Sequence, residues 1–284
     1  LFHYIGPVVK FTAPVPKELE TYRKIAARVP GTEIRNGSRF LESMRMVKSP
    51  AEIDQIRKAI DATYYGLGRL IARVRPGVTE FELDGVLEGA FKEKGAQFMA
   101  FGPIVGSGIQ STVLHYRAKT KSLEAGELLL LDVGAEWNHY SADISRTFPV
   151  DGKFTDRQGE IYDVVYQAQQ AAIAAVKPGA TIKEVHNVAK GVIADHGYGD
   201  YFMHGTSHHL GLLVHDVADY AVPLKPGMVI TVEPGIYIEE EQIGVRIEDD
   251  ILVTEKGREV LSNHIPSERM EVESWIVEAT RGQK

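Results

Sequence analysis

The sequence contains no cysteine in 284 residues. That excludes a disulfide framework and any thiolate metal site, so a metal ion would have to be held by carboxylates and histidines. It contains no long uninterrupted apolar run, which excludes a membrane-spanning helix. It also lacks an excess of positive charge. Lys and Arg number 32 against 39 Asp and Glu, for a net charge of -7, and this gives no support for nucleic acid as a partner. No secretory signal peptide is visible, so a cytoplasmic location is the expectation, although the chain begins at Leu1 and not at Met. What remains is the composition of an ordinary soluble globular protein, 44% hydrophobic and 25% charged.

Two apolar stretches carry acids where a strand would place its core residues. In the first, Val229-Ile230-Thr231-Val232-Glu233-Pro234-Gly235, β-branched residues bounded by glycine predict a strand. A second strand follows at Gly244-Val245-Arg246-Ile247-Glu248-Asp249-Asp250-Ile251, and the polar run Glu239-Glu240-Glu241-Gln242 between them predicts a turn. Regular pairing about that turn puts Glu233 opposite Glu248 on one face. Like charges so placed repel, and a carboxylate in an apolar strand is costly unless paired or bound to a metal. The same device stands upstream. Leu128-Leu129-Leu130-Leu131-Asp132-Val133-Gly134 is followed by Asp143-Ile144-Ser145-Arg146-Thr147. The midpoint of Asp132 and Asp143 lies between Trp137 and Asn138, which predicts a second cross-strand acid pair.

The two hairpins belong to a longer internal repeat. Arg75-Pro76-Gly77-Val78-Thr79 aligns with Lys177-Pro178-Gly179-Ala180-Thr181, Gly95 with Gly197, Asp132 with Glu233, and Gly134 with Gly235. The period of roughly one hundred residues exceeds that of solenoid repeats. Each half reads helix, Pro-Gly turn, helix, loop, hairpin, which predicts an α+β fold of two pseudo-two-fold-related halves with the four carboxylates at their interface. Helix starts carry the same punctuation in both halves. Ser49 with Glu52 and Thr79 with Glu82 form capping boxes in the first, and Thr155 with Gln158 and Thr181 with Glu184 in the second. Spacing predicts helices from these caps to about Val74, Lys94, Val176 and Asp195. A short strand is expected from Thr112 to Tyr116, carrying His115. Residues 1–48 are the least regular: Leu1 to Phe11 as a strand end, Pro16 to Val29 as a helix, Arg35-Asn36-Gly37-Ser38 as a turn. This segment reads as the tail of a preceding domain or a linker, with a single domain over 49–284.

Four of the ten histidines, His204, His208, His209 and His215, fall within twelve residues. A lone histidine is more often structural than a ligand, but four beside two buried acid pairs reverse that expectation. Carboxylates with imidazole suit Mn²⁺, Zn²⁺, Co²⁺ or Fe²⁺, with no preference readable from the donors. Two divalent ions would balance four carboxylate charges, and ions roughly 3.5–4 Å apart can share a water and lower its pKa toward neutrality. Hydrolysis of a polarised carbonyl is the reaction this suits.

Taken in order, Leu131-Asp132-x-Gly134, Asp143-Ile144-Ser145-Arg146-Thr147, His204-Gly205-Thr206-Ser207-His208, His215-Asp216, Val232-Glu233-Pro234-Gly235 and Arg246-Ile247-Glu248-Asp249 resemble the Xaa-Pro aminopeptidase and prolidase branch of the pita-bread metallopeptidases. The resemblance runs from about Ser49 to the C-terminus. It implies the pita-bread fold and a dinuclear site, with Mn²⁺ taken first among the four candidate ions. Asp132, Asp143, His208, Glu233 and Glu248 are implied as ligands, Asp143 and Glu248 bridging. Glu233 would also move protons, and a hydroxide bridging the ions would attack the bond before proline. The resemblance further implies that His115, His204, His215 and Arg246 contact substrate, His215 catalytically, with Tyr237 as a further candidate. The implied substrates are peptides or dipeptides with proline at the second position, and the implied full-length protein is a homo-oligomer. His209 and Ala218 depart from the pattern, standing where Trp or Phe and Gly are common. A methionine aminopeptidase shares fold and ligands but fits the quoted motifs less well. A binding module that has lost its metals is a third reading, and five filled ligand positions argue against it.

Overall fold

In this computed structural model, residues 2–3, 15 and 17–281 are described. Strand β1 (Phe2–His3) pairs in parallel with β2 (Arg35–Asn36), and helix α1 (Lys17–Arg28) lies between them in sequence. The reading of Leu1 to Phe11 as a strand end lies, apart from β1, outside the described residues. Arg35 to Ser38 is not a simple turn as expected: Arg35 and Asn36 form β2, and Ser38 opens helix α2 (Ser38–Met46). This helix starts at Gly37 with no side-chain cap, so the start signal is missing, although Phe40, Leu41 and Met44 recur at helical spacing and lie exposed.

From Ser49 onward the caps fall where the sequence places them. Ser49 and Glu52 form both bonds of a capping box at the start of α3 (Pro50–Ile71), and Thr79 and Glu82 do the same for α4 (Glu80–Lys94). Helix α3 buries Ile56, Ile60, Leu67 and Ile71 on one stripe. Gly95 closes α4 in the left-handed conformation, φ 103°. β3 (Phe98–Met99) and β4 (Ile104–Ser107) follow. The expected strand at Thr112 to Tyr116 is absent. Residues 108–112 form a 3₁₀ turn, in which the Ser111 and Thr112 hydroxyls donate to the Gly108 and Ile109 carbonyls at 2.6 and 2.7 Å. These local bonds replace a strand ladder.

The first hairpin comprises β5 (Leu128–Val133), β6 (Ala135–Trp137), β7 (Tyr140–Ser141) and β8 (Ile144–Pro149). Its register differs from the expectation by two residues: Asp132 faces Ser145, so Asp143 is its diagonal neighbour and not its direct partner. The cause is the turn. Asn138 and His139 both adopt positive φ, 48° and 70°, as a two-residue hairpin loop requires, which moves the midpoint one position along. A shift of two keeps every side chain on its face, so Asp132 and Asp143 still share one surface. Between β5 and β6 the strands pinch: a Cβ on Gly134 would lie 1.8 Å from the Ala142 carbonyl oxygen, and only glycine fits.

The second half repeats the plan with α5 (Asp156–Ala175) and α6 (Ile182–Asp195), each opened by its capping box. β9 (Val229–Val232), β10 (Gly235–Ile238), β11 (Ile243–Arg246) and β12 (Asp249–Thr254) form the second hairpin, and β13 (Gly257–Val260) adds to β12. Val232 pairs with Asp249 and Gly235 with Arg246, a single register that leaves Glu233 opposite Glu248 as expected. β4 pairs with β5 in the first half. In the second, residues 206–210 take the matching place beside β9, where the Thr231 and Glu233 amides donate to the His208 and Thr206 carbonyls at 2.9 and 2.8 Å. The hairpins meet where the Glu248 amide donates to the Ser145 carbonyl at 3.1 Å. α7 (Arg269–Arg281) closes the chain, packing Trp275 edge-on against Phe148. Among the described residues, no helix is long and apolar enough to cross a membrane.

Candidate metal centre

The two hairpins deliver their acids to one cavity of about 340 Å³. Asp132 comes from β5, Asp143 from the residue before β8, Glu233 from the residue after β9, and Glu248 from the residue before β12. His208 reaches in from the segment beside β9. All five predicted ligand residues line the cavity, and so do His115, His204, His215 and Arg246. His208 Nε2 lies 3.3 Å from Asp143 Oδ2, 3.4 Å from Glu233 Oε1 and 4.0 Å from Glu248 Oε1. Asp143, His208 and Glu248 each offer one ligand atom, all within 4.8 Å of one another. Asp132 lines the same cavity outside this tight group, its Oδ2 accepting from Arg246 Nη2 at 2.8 Å.

Behind the wall a hydrogen-bonded layer fixes these groups. Ser145 Oγ donates to Glu248 Oε2 at 2.7 Å and accepts from Arg246 Nε at 2.8 Å. Arg246 Nη1 donates to the Tyr237 hydroxyl at 2.9 Å, and His204 Nε2 shares that hydroxyl at 2.8 Å. Tyr237, expected as a further substrate contact, does not line the cavity: it is buried behind the wall, its hydroxyl held by Arg246 and His204. Ser145, Ser207, Leu114 and Tyr220 were not singled out by the sequence. For Ser145 only a weak signal existed: the two-residue strand period puts it on the same face as Asp143 and Thr147. His209 is buried away from the cavity, edge-on to Tyr220 with ring centroids 5.5 Å apart, so it keeps an aromatic contact at a position where Trp or Phe is common.

The donor set fits divalent cations. Four carboxylates converge with one arginine among them, and Oδ1 of both Asp132 and Asp143 is buried with no hydrogen-bond partner. Buried carboxylate oxygens left so are costly unless a cation completes them. Burial, reinforced by neighbouring carboxylates, pushes Asp143 and Glu248 well above the usual range. Burial also raises Glu233, to about 8, although Arg246 opposes it. Burial lowers His208 and His204 to about 4, which leaves both imidazoles neutral, the form that ligates metal.

These opposed shifts predict a pH profile for metal-free protein. The histidines, lowered in the folded state, favour folding as pH rises from about 4 to their unfolded value near 6.5. The carboxylates, raised in the folded state, favour folding only while protonated, and Glu233 loses that contribution as pH rises through about 8. From pH 6.5 to 8.5 only the second effect operates. The melting temperature of chelator-treated protein should therefore fall across that window, and added Mn²⁺ should restore it. A melting temperature that is flat or rising there would show that the carboxylates are not strained against one another.

Residues 54–255 match the model of metallopeptidase family M24. The chain is 36% identical to the Xaa-Pro aminopeptidase of Escherichia coli K12, an alignment covering 99% of this chain and 71% of that protein. The chain belongs to metallopeptidase family M24. It is 41% identical to the Xaa-Pro dipeptidase of Pyrococcus furiosus over 78% of this chain and 64% of that one, so it spans about two thirds of these two relatives. The Pseudomonas aeruginosa aminopeptidase PepP superposes with a TM-score of 0.88 at 32% identity, covering 99% of this chain and 71% of that one. As in that structure, the fold is the pita-bread arrangement of small antiparallel sheets covered by helices.

Proposed function

We propose that this M24 chain is a dinuclear-metal exopeptidase that hydrolyses the bond between an N-terminal residue and a following proline. One observation carries the reading: Asp132, Asp143, His208, Glu233 and Glu248 converge in a single buried cavity that three further histidines line. In this reading Asp132, Asp143, His208, Glu233 and Glu248 would hold two divalent ions. When bound, two divalent ions, Mn²⁺ first among the candidates, supply Lewis acidity and a nucleophilic water at neutral pH. Glu233, which burial raises to about 8, takes and returns the proton. Arg246 holds Asp132 in orientation through their 2.8 Å bond, and Tyr237 braces Arg246 and His204. His115 and His204 flank the proline ring, and His215 donates to the scissile carbonyl.

Proline at the second position is common to the names of the E. coli and P. furiosus relatives, and it is the substrate class proposed here. We also place the catalytic domain at 49–284, with 1–48 as the tail of a preceding domain or a linker whose last residues pack onto it, a homo-oligomeric full-length protein and a cytoplasmic location. The test is a Mn²⁺-reconstituted, desalted sample, measured for bound metal and for cleavage of Ala-Pro, Ala-Pro-Ala and Met-Ala-Ser. Bound metal and faster cleavage of the proline substrates are expected. Faster cleavage of Met-Ala-Ser would transfer the chain to the methionine aminopeptidase type, and no bound transition metal would end the enzyme reading.

A further inference from the structure

The loop that ends in His215 is built around a buried ion pair that reaches back to residues just ahead of α3. Asp216 is paired through Oδ1 with Arg45 Nη2 and through Oδ2 with Lys48 Nζ at 3.4 Å. The Lys48 and Asp216 side chains are each 1% exposed. Lys48 is itself anchored: its amide donates to the Gly227 carbonyl at 2.8 Å, and Val47 bridges to Met228 at the head of β9. The loop 209–216 wraps the pair. The Asp216 amide donates to the His209 carbonyl at 2.8 Å, closing the loop's base. Asp216 Oδ1 also accepts from the Val217 amide at 3.0 Å. A Cβ on Gly211 would lie 2.2 Å from Asp216 Oδ2 and 2.9 Å from Lys48 Cε, so the loop's backbone sits directly on the ion pair.

His215 faces the cavity with little else to hold it. Among the described residues its imidazole makes no hydrogen bond, and its ring contact is with His208, centroids 4.2 Å apart at 67°. The ring's place is therefore inherited from the backbone at Asp216. We propose that the Lys48–Asp216–Arg45 clasp is a positioning device for His215, through which the segment ahead of α3 sets the geometry of the active site. A buried carboxylate left without its cation must move toward water or take up a proton, and either change shifts the loop base. The proposal rests on the proline-peptidase reading for its kinetic readout.

The test is a double-mutant cycle in the full, metal-loaded chain, with metal content measured for every variant. Lys48→Met should lower kcat by about the 10–100-fold that loss of a supporting partner costs, with KM and bound metal little changed. Lys48→Arg should recover most of that loss. In a His215→Ala background Lys48→Met should cost nothing further, because the group it positions is gone. Losses that multiply, or a Lys48→Met enzyme within twofold of wild type, would overturn the proposal. Should Lys48→Met fail to fold, Arg45→Ala carries the same cycle, since its side chain is 28% exposed and tolerates removal better. Hydrogen exchange supplies an arm independent of activity: the amides of 209–216 should exchange at least tenfold faster in Lys48→Met or Arg45→Ala, with those of β9 unchanged. Wild-type protein that cleaves no proline peptide would refute the proposed activity alone, and unchanged exchange would refute the clasp alone.

Discussion

Glu248→Ala is expected to abolish turnover and lower metal occupancy while making the metal-free protein more stable. The two effects have opposite signs because one carboxylate plays opposite parts in the two states. Without metal, Glu248 is 2% exposed and faces Asp143 and Glu233, and these carboxylates raise one another's proton affinity. Deleting it removes a like charge from a buried cluster, so Asp143 is held less far above its usual range. The cavity left behind offsets part of this gain, and the polar lining admits water to fill it. With metal, the same deletion removes one of the carboxylates that would hold the ions. The loss should exceed the roughly 10–100-fold that removing a mere supporting partner costs. Elemental analysis, turnover on Ala-Pro-Ala and the melting temperature in chelator report the three quantities. Unchanged turnover would take Glu248 out of the site, and a large drop in metal-free stability would show it to be a structural group. Glu248→Gln keeps the shape and the bond to Ser145 Oγ, so it separates charge from volume.

The acids of the site were legible because a strand punishes them. Glu233 amid Val229, Ile230 and Val232 has no local reason to be there, and that discord pointed to a ligand role in the sequence before any geometry was known. The second hairpin's pairing followed from its turn, since residues 239–242 are too polar for anything else. The first hairpin's pairing was displaced by two, because Trp137-Asn138-His139-Tyr140 offers no glycine to mark the loop, and Asn138 and His139 take positive φ unannounced. The site survived the error, since an even slip preserves the face. Helix α2 was lost for a different reason: no side-chain cap marks its start at Gly37.

What the sequence withheld was mostly long-range. Ser145 is an unremarkable strand residue until Arg246, 101 positions away, donates to it. Asp216 reads as half of a His-Asp motif, but its cations stand 171 and 168 positions earlier, and no periodicity links them. Local propensity and hydrophobic pattern specify elements and their faces. Ion pairs between distant elements depend on how those elements stack, which the duplication constrained only for the four acids.

His215→Ala should lose roughly 10²–10³ in kcat, the usual consequence of removing one preorganised donor to a developing oxyanion. The imidazole lines the cavity 4.2 Å, ring to ring, from His208, so it stands beside the proposed ligands and outside their number. Burial lowers its pKa, so near neutrality it donates as a neutral ring. Such a bond strengthens as the carbonyl gains charge, which puts its loss on kcat. His204 should behave differently. It is held from both sides, Nδ1 near the Gly205 carbonyl and Nε2 at the Tyr237 hydroxyl, each 2.8 Å away, and so presents a fixed ring face to the cavity. An Xaa-Pro bond is a tertiary amide with no N–H, so proline is recognised by packing on its ring. Packing is present in ground and transition states alike, and His204→Ala should therefore raise KM with a smaller change in kcat. The two variants are compared on Ala-Pro-Ala at saturating metal with occupancy checked. Retention of wild-type kcat in His215→Ala would remove it from the carbonyl, and a kcat loss in His204→Ala as large as that in His215→Ala would place His204 at the reacting bond.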